Sequence, residues 1–349
     1  MVENRTVDVA SLSLKDQALI RGERGSRKFQ GITEKKASRA AVIGAGVIGL
    51  TNALLAQQEG YQVSLYAELP PTETTSMVAG ATFAPYSVPL TEQVLRMTEN
   101  SWGDFAPMAR DTQRTGVREL DYWEIESRTV DPSEKPYLDV MREVQVYEAP
   151  DVPGRYEQGI KYGTFAIDMP VYLPHLLSRF EANGGELIQR RFSEVQELSE
   201  LEAEVVFNCT GLGARELVGD QKLKPIKGQL AITDHRPDLS VAIKHDGFYA
   251  FPQPQTNRTV LGGTTVVNFD RSVEPGVTQT IINANKRILP GLTESDVKQS
   301  LTGLRPYREG DVRVEAEDVN GKLIIHNYGH GGAGVTLSWG SGREALKKL

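Results

Sequence analysis

The sequence predicts an α/β protein whose first domain, built on a mostly parallel sheet, is interrupted by a second domain on a mixed, largely antiparallel sheet. Three observations carry this. A strand, a glycine-rich turn and a helix follow one another from Ala40 to Gly60; an apolar strand at 205–211 ends in Thr-Gly; a glycine-rich loop at 326–334 runs into a terminal helix. These pieces lie at the front, middle and end of the chain. The expected boundaries are 40–90, 155–222 and 300–349 for the first domain, with 91–154 and 223–299 forming the second.

Ala40-Ala-Val-Ile43 is a short apolar strand, and Gly44-Ala45-Gly46-Val47-Ile48-Gly49 follows it. Leu50, Ala53, Leu54 and Leu55 recur at helical spacing, and Gly60 stops the helix. A second strand, Gln62-Val-Ser-Leu-Tyr66, leads to Glu68, 19 positions beyond Gly49. Gly44 permits a tight turn, Gly46 lets the backbone approach a pyrophosphate, and Gly49 lets helix pack close to strand. The helix start supplies free N–H donors and a partial positive charge. Glu68 can accept from both hydroxyls of a ribose and repels a 2′-phosphate. The pattern is that of a dinucleotide site. By itself it does not separate NAD from FAD; the later segments, with Thr210-Gly211 and Gly331 to Gly334, bear on that choice. In the second domain, strands are expected over 230–233, 247–251 and 258–267.

Composition bounds the function. The chain has 349 residues, 39% hydrophobic and 24% charged, as in an ordinary globular protein of about two domains. No apolar run approaches the ~18 residues of a membrane span. The net charge of −7 argues against nucleic acid or anionic membrane as a partner. Cys209, the single cysteine, can form no internal disulfide, which fits a reducing, cytoplasmic setting. Residues 1–39 hold nine Lys/Arg and five Asp/Glu, a net +4, which leaves −11 on 40–349. With the polar run Arg21-Gly-Glu-Arg-Gly-Ser-Arg-Lys28, they read as a poorly ordered extension and not as a secretory signal. The ending Lys347-Lys-Leu349 shares two residues with the peroxisomal Ser-Lys-Leu address.

With these motifs the chain resembles the D-amino-acid oxidase family of flavoproteins from Ala40 to Leu349. The markers are Val42-Ile-Gly-Ala-Gly-Val-Ile-Gly-Leu50, Thr74-Thr-Ser76, Ala79-Gly-Ala81, Pro85-Tyr86, Asn208-Cys-Thr-Gly211, Leu261-Gly-Gly-Thr264, Gly303-Leu-Arg-Pro306 with Arg308, and His326-Asn-Tyr-Gly-His-Gly-Gly332. The resemblance implies a Rossmann-like FAD-binding domain with the isoalloxazine at the domain boundary. Gly44 to Gly49 would hold the pyrophosphate and Glu68 the adenosine ribose. Thr74, Thr75 and Ser76 would line the phosphates, Gly80, Ala81 and Thr82 would meet the flavin ring, and Phe192 would lie near the adenine. Gly331, Gly332, Ala333, Gly334, Val335 and Thr336 would follow the flavin pyrimidine edge, with Thr336 at O2. A helix starting near Val335 would direct its positive end at the edge where charge develops on reduction.

The resemblance also implies the substrate residues. Arg305 would hold an α-carboxylate through two parallel charge-assisted bonds. Tyr249 would add a hydrogen bond to the same group, and the Gly332 carbonyl would accept from the amine. The implied reaction is oxidative deamination of a D-amino acid by hydride transfer to flavin N5, with O2 as acceptor, yielding 2-oxo acid, ammonia and H2O2.

This sequence departs from the family's usual pattern. No second tyrosine matching a lid lies between Leu230 and Tyr249, and Ala84 and Ala333 stand where larger residues are common. Lys244 and His245 read as solvated loop residues. The alternative is that one attracts an acidic side chain, as a basic residue does in the D-aspartate-preferring branch. Arg308 reads as surface or structural pairing, His175 as a helix-surface residue, Cys209 as inert, and His326 and His330 as hydrogen-bonding neighbours of the site. No metal site is expected, because those two histidines lack a third ligand. Competing readings are an amine oxidase acting on glycine, sarcosine or an atypical amino acid, and a non-catalytic flavin-binding protein. A homodimer is possible.

Overall fold

A computed structural model describes residues 38–129 and 131–349. The extension expected over 1–39 therefore lies outside the described residues, except for Ser38 and for Arg39, which opens the first strand. Along the chain, β1 (Arg39–Ile43), α1 (Val47–Gln58) and β2 (Gln62–Ala67) come first. Next are α2 (Glu92–Met108), β3 (Val117–Ile125), β4 (Arg142–Glu148), β5 (Gln158–Ile167), α3 (Met169–Ala182), β6 (Glu186–Gln189) and β7 (Val205–Asn208). Five strands follow: β8 (Leu223–Asp234), β9 (Ala242–His245), β10 (Phe248–Gln253), β11 (Arg258–Gly262) and β12 (Val266–Val267). The last elements are α4 (Pro275–Asn285), β13 (Val297–Arg308), β14 (Arg313–Val319), β15 (Lys322–Tyr328) and α5 (Gly334–Leu346).

Six strands form one sheet in the order β14-β15-β7-β1-β2-β6. All its pairs are parallel except β14 with β15. The other nine form a second sheet, β12-β8-β11-β10-β9-β3-β5-β4, with β13 added along β8. Only β3 with β9 is parallel there. The chain is thus a mixed α/β protein on a mostly parallel and a largely antiparallel sheet.

Helix α1 explains how the first sheet is covered. Leu50, Ala53, Leu54 and Leu55 are buried, each large side chain contributing roughly 1.5–3 kcal/mol. Its polar residues Thr51 and Asn52 are buried as well: the Thr51 hydroxyl donates to the Val47 carbonyl and the Asn52 amide to that of Ile48, one turn back. A helix apolar nearly all round belongs in the interior. Helix α5 packs beside it. Its Trp339 Nε1 donates to the Tyr172 hydroxyl of α3 at 2.9 Å, and Arg343 grips Asp104 of α2 through two bonds of 2.6 and 2.7 Å.

Some stretches fall across the boundaries expected from sequence. Within 155–167 and 300–308, β5 and the end of β13 belong to the second sheet, while α2, from the 91–154 segment, packs on α5. Strand pairing decides this: β13 pairs with β8 from Val297 to Arg308, so its end cannot belong to the first sheet. The strand expected over 258–267 is broken. Gly263 has φ +134°, which turns the chain out of extended geometry, so β11 ends at Gly262 and β12 resumes at Val266.

Candidate active site

The two sheets share one cavity of about 470 Å³, lined from both. At one end lies the β1–α1 turn. Gly44 has φ +105°, a conformation costly for other residues, and its N–H donates to the Tyr66 carbonyl at 2.7 Å. A Cβ on Gly49 would lie 1.7 Å from the Gly44 carbonyl oxygen, so only glycine lets α1 begin there. Gly46, Val47 and Ile48 face the cavity at the positive end of α1. The N–H of Val47 donates to Ser76 Oγ at 3.0 Å, which leaves the serine hydrogen free to donate.

Most residues expected at a cofactor come together here. Gly44, Ala45, Gly46, Val47, Ile48, Glu68, Thr74, Thr75, Ser76, Gly80, Ala81, Thr82, Phe192, Thr210, Gly211, Gly331, Gly332, Gly334, Val335 and Thr336 all line the cavity. Gly49 and Ala333 do not; Gly49 acts by close packing, and Ala333 is buried behind the wall. Thr336 Oγ donates to the Ala84 carbonyl at 3.1 Å, tying α5 to the loop that carries Tyr86. Arg190 and Arg191, which the sequence reading did not single out, also line the cavity: Arg191 pairs with Glu68 at 3.3 Å, and Arg190 lies 4.4 Å over the Phe192 ring.

This cavity fits a dinucleotide on its donor chemistry. The N-termini of both α1 and α5 open onto it, offering backbone N–H groups and positive partial charge, and the glycine turn brings main chain to the ligand without side chains intervening. Its strand end is held by a relay. Asn208 Oδ1 accepts from the Thr210 hydroxyl at 2.8 Å, so its amide nitrogen donates to His326 Nδ1 at 3.1 Å, and His326 Nε2 donates to Glu317 at 2.9 Å.

At the other end, Arg305 Nη1 donates to the Thr264 carbonyl at 2.9 Å, and the guanidinium lies 5.3 Å from the Tyr86 ring centre. Arg305 forms no ion pair among the described residues. A Cβ on Gly228 would lie 2.3 Å from its terminal nitrogen, and one on Gly262 would lie 2.4 Å from the Tyr249 ring. These two glycines make room for the two side chains. Gly332 completes the group, its Cβ direction meeting Tyr86 at 2.7 Å and Arg305 Cδ at 3.2 Å. Burial, opposed by Arg305, holds the Tyr249 pKa above its ordinary value, so the phenol stays a donor.

Lys244 and His245 are not solvated loop residues. They end β9, in mid-sheet between β3 and β10, and pairing on both edges leaves His245 buried and Lys244 half-buried. His245 is 2% exposed and bonds to Tyr156 and Asn285. Lys244 faces the cavity and donates to Glu124 at 2.7 Å. Glu124, which the sequence reading also did not single out, is buried. Burial alone would raise its pKa, but Lys244 and Lys135 outweigh that and bring it to about 2. Its signal was an acidic residue inside the apolar strand Tyr122-Trp-Glu-Ile125.

Arg308 pairs with Asp220 at 2.8 Å, and His175 is half-buried on α3. Burial raises the Cys209 thiol pKa, so it stays protonated. His330 is buried, and its Nε2 has no hydrogen-bond partner among the described residues, unlike the expectation for it. The described residues contain no cluster placed to hold a metal, and no helix among them is long and apolar enough to cross a membrane.

Burial lowers the pKa of His245, His326 and His330, the last to about 3. In the unfolded chain these groups take up protons near pH 6.5. Stability should therefore fall as pH drops from 7.5 to 5, by about 2 kcal/mol at pH 5 from His330 alone. Glu124 does not interfere: its contribution is complete above the ordinary carboxylate pKa and is lost only as pH falls towards 2. Thermal melts at pH 5, 6 and 7.5 check this, with His330→Gln flattening the slope. A melting temperature that holds or rises towards pH 5 would contradict it.

A family model for FAD dependent oxidoreductases matches residues 39–347. The D-amino-acid oxidase of Rubrobacter xylanophilus is 34% identical over 320 residues, covering 90% of this chain and 97% of that protein. The D-amino-acid oxidase of Streptomyces coelicolor is 34% identical over 329 residues, covering 90% and 98%. Among solved structures, a glycine oxidase from Geobacillus kaustophilus shares the fold with a TM-score of 0.75 at 20% identity, covering 88% of this chain and 93% of its own.

Proposed function

The chain belongs to the D-amino-acid oxidase family of FAD dependent oxidoreductases, and we propose that it oxidatively deaminates a D-amino acid with O2 as acceptor. The net reaction turns amino acid, O2 and water into a 2-oxo acid, ammonia and H2O2. One observation carries the reading: Arg305 is a guanidinium facing the cavity with no carboxylate of the described residues paired to it, beside a buried tyrosine that donates. A forked cation in that position is matched by a substrate carboxylate.

FAD, the cofactor of the family, supplies when bound a two-electron acceptor that O2 reoxidises. The chain's residues orient the substrate. Arg305 and Tyr249 fix the α-carboxylate at two points, and the Gly332 carbonyl accepts from the amine, which leaves Cα with one orientation. Glu124 cannot act as base, because its carboxylate is held near pKa 2 and accepts from Lys244, Lys135, Tyr137 and Tyr162. Transfer of the Cα hydrogen as hydride needs no such base. The D configuration is supported by the relatives of that activity.

The test is peroxide release from FAD-loaded protein with matched D and L amino acids, plus glycine and sarcosine. Turnover of D-amino acids with L partners inert is expected. Faster turnover of glycine or sarcosine would replace the reading by the amine-oxidase one, and silence with flavin bound would overturn it.

A further inference from the structure

We propose that Glu124 and Lys244 together set the side-chain preference of the site, admitting amino acids whose side chain ends in a neutral hydrogen-bond acceptor and disfavouring those that end in a second carboxylate. The inference rests on the oxidase reading and names the substrate class within it.

Position comes first. The Arg305 guanidinium and the Lys244 ammonium lie 5.3 and 5.8 Å from the centre of the same Tyr86 ring, so they are at most 11.1 Å apart. An amino acid of four or five carbons, roughly 5–6 Å from end to end with a hydrogen bond of about 2.8 Å at each end, spans that limit. Lys244 also lies opposite Tyr249 across the β9–β10 pair. A substrate held by Arg305 and Tyr249 therefore has Lys244 within reach of its side chain.

Chemistry decides what the wall accepts. Lys244 has three N–H donors, and one is spent on Glu124 Oε1. Glu124 has nothing left to offer: Oε1 also accepts from Lys135 at 2.9 Å, and Oε2 from the Tyr137 hydroxyl at 2.6 Å. Of this pair, then, only Lys244 has hydrogen bonds left to make, and it donates them. Its charge is already balanced. Lys244, Lys135 and Arg128 are offset by Glu124, Glu126 and Glu134, with Glu126 shared between Arg128 at 2.6 Å and Lys135 at 3.4 Å.

A second substrate carboxylate on Lys244 would sit within about 5.5 Å of the Glu124 carboxylate, and it would shed its water for a site with no net positive charge. A carboxamide or hydroxyl takes the same N–H bonds without bringing a charge.

The experiment measures kcat/KM on the FAD-loaded full chain for D-asparagine, D-glutamine and D-serine, against D-aspartate, D-glutamate and D-alanine. Wild type should favour the amides over the matching acids by about tenfold or more. Glu124→Gln, which frees the Lys244 charge, should shift the aspartate-to-asparagine ratio about tenfold towards the acid. Lys244→Met should lower the asparagine-to-alanine ratio by a similar factor, and it serves alone if the Glu124 variant does not fold. A structural role for the pair would lower all substrates together and leave the ratios in place. Preference of wild type for the acids overturns the inference, as does a flavin-loaded variant whose ratio stays within roughly threefold. Wild type that turns over no amino acid overturns the oxidase reading and this inference with it, whereas turnover with unmoved ratios overturns this inference alone.

Discussion

Replacing Arg305 by alanine should lower kcat/KM for a D-amino acid roughly 10³-fold while leaving bound flavin in place. The size follows from what the substitution strands. A substrate carboxylate enters a cavity walled by Tyr86, Tyr249 and Phe251 and loses its water there. Without its guanidinium it is a buried, unpaired charge, a situation that costs roughly 3–5 kcal/mol. Arg305→Lys should recover only part, because an ammonium restores charge without the planar fork that fixes the angle of the carboxylate. Two controls separate binding from folding. The flavin content of the purified protein should be unchanged, since Arg305 donates to the Thr264 carbonyl at the end of the cavity opposite the β1–α1 turn that would hold the pyrophosphate. Discrimination between a D-amino acid and its α-amide should shrink, since the amide never had the charge that Arg305 reads. Activity within a few-fold of wild type would remove Arg305 from the site.

Gly49→Ala should abolish FAD binding and most of the fold's stability with a single methyl group. That methyl would lie 1.7 Å from the Gly44 carbonyl oxygen, a backbone atom at the end of a central strand that cannot move aside. Relief requires α1 to pull away from β1, and α1 carries Leu50, Ala53 and Leu54 into the core. Overpacking of this kind commonly costs 1–3 kcal/mol, and more where only backbone can yield. Gly46→Ala makes the contrast. Its Cβ would meet only Ser76 Oγ, at 3.2 Å, the end of a side chain that can rotate. That variant should fold and melt near wild type but bind FAD more weakly, because the added methyl stands where main chain meets the phosphates. Flavin content of the purified proteins and thermal melts check both. Equal behaviour of the two variants would show that the close approach at Gly49 is not what holds this turn.

Much of this protein was determined locally and was therefore legible in its sequence. The β1–α1–β2 unit, its glycine spacing and Glu68 depend on neighbours within about thirty residues, where periodicity and turn chemistry act directly. Arg305, Tyr249 and Gly332 were legible only through resemblance, since no local rule sends residues 249, 305 and 332 to one cavity. The tertiary structure alone decided the rest. Lys244 and His245 carry polar side chains after a short connection, which reads as a loop; pairing with β3, more than a hundred residues earlier, makes them the middle of a sheet. Glu124 looks like a strand's solvent-facing acid until Lys135, Lys244 and Tyr137 converge on it from separate segments. Gly228 and Gly262 look like weak points in strands, and only the placement of Arg305 and Tyr249 above them shows that the missing side chains are the space the site needs. The physical reason is common to all of these. Backbone conformation is set by neighbours along the chain, whereas burial, charge balance and free volume are set by whatever distant segment packs against a residue.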